Sequence, residues 1–164
     1  MATDRIESSI VIERRYHAEI DDLWALWTTK DGFESWWGPE GFRADVHMID
    51  ARLEGALHYD MVADAPEAIA AMKEMGEPTS TTCKGRFSAF ELHERLALSQ
   101  VIDFLPGVDA YESLIEVDFA PVSDSHVRMT VTLHQMHDLQ TTQMQQAGFM
   151  SQLGKLDKRY GWND

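Results

Sequence analysis

The residues of this sequence that could do chemistry are few and scattered. His134-Gln135-Met136-His137 sets two imidazoles close together. Two ligands are too few for zinc, and a helical histidine pair that shares an ion is spaced i, i+4. Here the first histidine ends an alternating, strand-like run, and His17, His47, His58, His93 and His126 add no cluster. A metal site is therefore not expected, and chain-end histidines held by water or backbone are the simpler reading. Cys83 stands alone and shares strand parity with Gly85 and Phe87, as a small core residue would, rather than a reactive thiol. His58, Asp60, Arg86 and Glu116 could act as acids or bases. Alternation puts them, with Glu112 and Asp118, on the solvent face of their strands if Tyr59, Phe87 and Ile115 point inward. Tyr59 is then the one inward titratable group, and a phenol is a poor general base at neutral pH. No nucleophile–base pair and no phosphate-binding glycine loop is visible, so neither catalytic residues nor a cofactor are expected.

The same positions are better suited to surrounding an apolar molecule. Trp36 and Trp37, beside Gly38-Pro39, offer stacking surfaces for an aromatic or polycyclic ligand, whereas Trp24 and Trp27 are expected to fasten two short helices to a sheet. Tyr59, Met61, Phe87, Gln100, Ile115 and Met129 share the inward parity and face a terminal helix that carries Gln146, Phe149 and Met150. Most of these would suit any packed core. Tyr59, Gln100, Thr142 and Gln146 would not, because buried polar groups need partners, which water or ligand in a cavity can supply. The expected site is a mostly apolar pocket with a few hydrogen-bonding groups near its mouth.

Two stretches must position these residues. From His126 to His134, Val127, Met129, Val131 and Leu133 alternate with Arg128, Thr130, Thr132 and His134, the mark of a half-buried strand. After Met136-His137-Asp138 the period lengthens, with Phe149/Met150, Leu153, Leu156 and Tyr160 on one face of a long helix that Asp138 can cap and Gly161 can end. Clear apolar anchors start only at Met144, and Thr142, Gln143 and Gln146 occupy the sheet side of the first turns. Upstream, the pattern predicts a strand over Ser9–Tyr16 and helices over Ile20–Trp27 and Lys30–Trp37. Further strands are predicted over Phe42–Ile49, Ala56–Val62, Thr81–Glu91, Leu96–Phe104, Tyr111–Phe119 and His126–His134. Turns fall at Glu54-Gly55, Pro106-Gly107 and Pro121–Asp124. The segment 64–80 interrupts this series with a helix over Pro66–Met75, whose apolar side (Ile69, Met72, Met75) suits a lid over the cavity or the contact of a homodimer. Strands grouped apart from helices argue for one α+β domain over residues 1–164, with an antiparallel sheet curved around the terminal helix.

Composition sets the outer limits. The 164 residues hold 14 basic against 28 acidic side chains, a net charge of −14, which disfavours nucleic acid and anionic membrane as partners. A lone cysteine fits a reducing compartment, and Met1–Glu7 lacks the apolar core of a signal peptide, so a cytoplasmic protein is expected.

Four motifs in order carry a resemblance that spans nearly the whole chain. Leu23-Trp24-Ala25-Leu26-Trp27-Thr28 is followed by Trp36-Trp37-Gly38-Pro39, then by Asp50-Ala51-Arg52-Leu53-Glu54-Gly55. Gly85–Glu91 with Glu94-Arg95-Leu96 comes next, and Gly148-Phe149, Leu153 and Leu156 close the series. The chain resembles the START-like (helix-grip, SRPBCC) superfamily and, within it, the family named for homologues of the heat-shock-protein-90 ATPase activator. Glu54 departs from a position where the family usually shows glycine, and Phe149 stands where tryptophan is common. The resemblance implies a helix-grip fold: a curved antiparallel sheet of about seven strands, two short helices after the first, and a long C-terminal helix across the sheet over a cavity. It brings no universal catalytic set. The function expected from it is binding of a small hydrophobic or aromatic molecule. The rivals are a polyketide-cyclase or aromatase-like enzyme and a co-chaperone that stimulates a heat-shock ATPase.

Overall fold

Strand alternation builds the scaffold. In a computed structural model that describes residues 9–103 and 107–161, seven strands form one antiparallel, curved sheet in the order β1-β7-β6-β5-β4-β3-β2. They are β1 (Ile10–His17), β2 (Phe42–Ile49), β3 (Ala56–Ala63), β4 (Ser80–Glu91), β5 (Arg95–Ile102), β6 (Tyr111–Pro121) and β7 (His126–Leu133). Strands β2 to β7 follow one another as a meander, while β1 pairs with β7 at the far edge. Register shifts between Val46 and Met48 and between Phe87 and Ala89 mark irregularities of the kind that bend a sheet. Phe104 and Pro106, expected at a strand end and a turn, lie outside the described residues, as does Met1–Glu7.

The chain crosses from the β1 edge to the β2 edge through two helices, α1 (Ile20–Thr28) and α2 (Lys30–Glu34). Asp21 and Asp22 suit the positive N-terminal end of α1. At α2 the Thr29 side chain accepts from the Gly32 amide. The predicted helix through Trp37 is shorter than expected, because Ser35 ends it and the Trp36 and Trp37 amides turn back onto the Phe33 carbonyl. Helix α3 (Pro66–Glu74) fills the interruption between β3 and β4 and has no buried residue. Ile69 and Met72 are only half-buried, and Met75 is exposed.

The long helix α4 (Leu139–Tyr160) lies on the concave face, capped where Asp138 accepts from the Thr141 amide and ended by Gly161 in the left-handed conformation at φ 82°. Its buried side carries Thr142, Phe149, Gln152, Leu153 and Leu156. The expected anchors Met144 and Met150 are instead exposed, at 67% and 44%. Each residue turns a helix by about 100°, so both side chains fall outside the arc centred on Phe149 and Leu156. Opposite this helix, Val127, Met129, Val131 and Leu133 of β7 are all buried, as the alternating pattern predicts. No described helix is long and apolar enough to cross a membrane.

Candidate functional site

The tryptophans divide by role. Trp27, Trp36, Trp37 and Phe33 form one aromatic cluster, with Phe33 stacked on Trp37 at 4.5 Å and Trp27 meeting Trp36 edge-on at 5.1 Å. Trp24 packs edge-on against Phe90 and Phe119 and so fastens α1 to the sheet. Trp36 is fully buried and donates from Nε1 to the Leu26 carbonyl at 2.9 Å. Trp37 points its Nε1 the other way, toward the sheet, and donates to the Tyr59 hydroxyl at 3.0 Å.

That hydroxyl is the polar centre of a recess of about 160 Å³ between the sheet and α4. Trp37, Tyr59, Met61, Gln100, Ile115, Gln145, Gly148, Phe149 and Gln152 line it. Tyr59 pairs with Cys83 in the β3–β4 register, and its oxygen also accepts from Gln100 Nε2 at 2.7 Å. Burial pushes the Tyr59 pKa well above the usual phenol range, so the group stays protonated at neutral pH. Burial likewise raises the Cys83 thiol, which keeps it from thiolate chemistry.

Helix α4 brings the other polar groups. Gln152 accepts from the Gly38 amide at 2.8 Å through Oε1, and Gln145 donates from Nε2 to Ser113 Oγ at 3.4 Å. The remaining end of each amide, Gln152 Nε2 and Gln145 Oε1, is buried with no hydrogen-bond partner among the described residues. Lys155 donates to the Gly38 carbonyl at 2.9 Å, its pKa lowered chiefly by burial, and Ser151 accepts from the Glu40 amide at 3.0 Å. The loop after Trp37 is thus stitched to α4 along one wall of the recess. The Ala65 and Ala68 methyls at the start of α3 lie close to Gly41, the far end of that loop.

Of the residues expected at the site, Trp37, Tyr59, Met61, Gln100, Ile115 and Phe149 line the recess. Trp36, Phe87 and Met129 do not, because they fill solid core at 0% exposure. Gln146 is half-buried and does not line the recess, and Met150 faces solvent. The glutamines that do line it, Gln145 and Gln152, are readable in principle. With Phe149 and Leu156 they follow the i, i+4, i+7, i+11 spacing of one helical face.

Tyr59 is not the only inward titratable group. Arg14 and Tyr16 of β1 also face α4, where Asp157 accepts from both, at 3.1 and 2.6 Å. The outer face differs from a simply solvated one. Glu116 accepts from Arg95 and is hydrogen-bonded to His134 Nε2, while Ser9 Oγ sits 3.1 Å from His134 Nδ1. His134 is thus held by side chains rather than by water or backbone, and His137 bonds the Tyr111 hydroxyl at 2.9 Å. Among the described residues no three of His, Cys, Asp or Glu come together as metal ligands would. Two further grooves lie on the surface. One, of about 230 Å³, runs past His58, Lys84, Arg86 and Glu112 on the outer face, and Arg86 there is bound to Glu54 and Glu112. The other, of about 320 Å³, runs past His17, Glu19, Asp22 and Asp124.

A family model described as Activator of Hsp90 ATPase homolog 1-like protein matches residues 17–161. No curated protein matches the sequence. Among solved structures, a protein of Chromobacterium violaceum is similar at 19% identity and a TM-score of 0.72, over 94% of this chain and 97% of that one. An AHSA1 protein of Silicibacter pomeroyi is similar at 17% identity and 0.70, over 92% and 96%. An AHSA1-like protein of Aeromonas hydrophila is similar at 20% identity and 0.66, over 92% and 90%. At these identities the likeness concerns the fold.

Proposed function

This chain belongs to the Activator of Hsp90 ATPase homolog 1-like family, and on that premise we propose that it binds a small, mostly apolar molecule in the recess under α4. The observation that carries this reading is the pair of unpartnered amide ends, Gln145 Oε1 and Gln152 Nε2, set beside Trp37, Met61, Ile115 and Phe149. An unpaired buried polar atom costs about 1–3 kcal/mol, a cost that a bound molecule with matching polar atoms would relieve. The volume of about 160 Å³ sets the size. It is close to the ~150 Å³ of an apolar cavity that holds benzene, so the part of the ligand seated in the recess is about one ring or its aliphatic equivalent.

Glycine at position 148 supports the same reading. It costs a helix interior about 1 kcal/mol, yet it lines the recess, and a Cβ there would meet nothing within 4 Å. A larger side chain would occupy that space. The test is a titration with toluene followed by NMR. Shifts of the Trp37 indole and the Ile115 methyls that saturate, and that vanish in Gly148→Leu, are expected. Shifts confined to the exposed Leu139 and Met144 would reject the reading.

The family description favours a second reading, stimulation of a chaperone ATPase. An ATP-hydrolysis assay of the chaperone with and without added protein decides it, an unchanged rate counting against. Cyclase-like turnover would use the same recess with Tyr59 as a hydrogen-bond donor. In that case Tyr59→Phe would lose turnover and keep affinity.

A further inference from the structure

We infer that the ligand is an uncharged molecule bearing a carbonyl or a similar hydrogen-bond acceptor, which the Gln152 side-chain N–H recognises. The inference rests on the binding role proposed above and adds the chemical class.

Polarity at Gln152 is fixed by the backbone. The Gly38 amide is a donor and can bond only an acceptor, so Oε1 must face Gly38, and the bond is short at 2.8 Å. Nε2 is then the end left unpaired, and it has only protons to offer. Gln145 carries no such constraint, because its partner Ser113 has a hydroxyl that donates or accepts, so this amide can turn to suit a ligand. The Tyr59 oxygen already accepts from Trp37 and Gln100, which leaves its proton to give, either to the adjoining Cys83 thiol or to a ligand. The polar group that the backbone fixes beside the recess, Gln152 Nε2, is therefore a donor, and it selects a molecule that brings an acceptor.

Charge is excluded by the lining. No described Asp, Glu, Lys, Arg or His lines the recess, and Lys155, one turn of α4 beyond Gln152, is engaged by the Gly38 carbonyl. An anion would find no counter-charge in a chain of net charge −14. A cation would find no carboxylate, and one face of Trp37 is already stacked on Phe33. Burying an unpaired ion costs far more than burying a neutral carbonyl. Both orphaned amide atoms are closed to water, so a ligand in the recess reaches them once the two glutamine side chains shift toward it. Pairing the orphaned donor then contributes to binding.

Calorimetric titration with four probes of one ring tests this: toluene, acetophenone, benzoate and benzylammonium. Acetophenone is expected to bind at least about tenfold tighter than toluene, the worth of one good hydrogen bond, and benzoate and benzylammonium at least about tenfold weaker than acetophenone. Gln152→Glu keeps an acceptor for Gly38 but has no N–H to give, so it should erase the preference, bringing the affinities for acetophenone and toluene within about twofold of each other. If that variant does not fold, Gln152→Met, with similar reach and neither polar atom, gives the same readout. Toluene binding as tightly as acetophenone to the wild type, or benzoate binding tightest, would overturn the inference and leave the recess as a binding site. Failure of every probe to bind would overturn both.

Discussion

Glu54 holds a left-handed backbone at φ 65°, beside Gly55, whose Cβ would stand 1.9 Å from the Asp50 carbonyl oxygen. The carboxylate of Glu54 offsets part of that strain by binding Arg86 at 2.9 Å. The left-handed penalty of about 1–2 kcal/mol exceeds the ~0–1 kcal/mol of an exposed ion pair. Glu54→Gly should therefore stabilise the fold by about 0.5–1 kcal/mol in urea melts, and a loss of stability would contradict the account. Gly55→Ala should cost more than about 2 kcal/mol, since backbone must move to admit the methyl. Glu116 supplies a pH test. Hydrogen bonding from His134, and then from Arg95, holds its carboxyl below the ordinary 4.5. A carboxylate depressed on folding stabilises the protein fully above its unfolded value, and that share is lost as pH falls through the lower, folded value. The gap in melting temperature between wild type and Glu116→Gln should be widest near neutral pH and close below pH 4.5. A gap that does not change with pH would show that the pairing adds nothing. Little of this was legible in the sequence. Alternation put Glu116 on the outer face, but its partners come from β5 and from the residue just after β7, and no local pattern shows which strands adjoin.

At the scale of elements, α4 decides the site. Asp138 caps it, so Asp138→Ala should cost about 1 kcal/mol. Leu153 and Leu156 are fully buried, and either changed to alanine should cost about 2–5 kcal/mol, whereas exposed Met144 and Met150 should tolerate alanine within about 0.5 kcal/mol. Chemical denaturation of the four variants checks the facing, and equal losses would contradict it. Gly148→Ala and Gly154→Ala add a methyl that meets nothing within 4 Å, so each should stabilise by about 0.5–1 kcal/mol. Only the first should weaken toluene binding, because Gly154 does not line the recess. The existence and span of this helix were plain from its cap, its terminal glycine and its apolar period. Its facing was not, because an error of one residue swings a side chain by about 100°. Such a step separates Gln146, expected at the site, from Gln145, which lines it, and Met150, which faces solvent, from Phe149, which lines it. The strands suffered less, since a period of two leaves only two choices and the apolar run of β7 settles which is inward.

For the whole molecule, the order of elements follows from sequence because each strand of the meander pairs with its neighbour, and only β1 must travel, by way of α1 and α2, to the opposite edge. The recess is a property of the assembled layers. Trp37, Tyr59 and Ile115 come from three separate segments of the chain, and α4 closes over them with residues that are polar where a plain core would be apolar. Six of its lining residues could be named from parity and motif. Its size and its donor character needed the position of the Gly38 loop against Gln152. The most direct test is a crystal of the protein soaked in bromobenzene, with the bromine located by its anomalous scattering. A bromine peak between Trp37, Ile115 and Phe149 is expected. Bromine found only on the outer face or at the exposed side of α4, with those three side chains packed against one another, would contradict the claim that the recess under α4 is a ligand site.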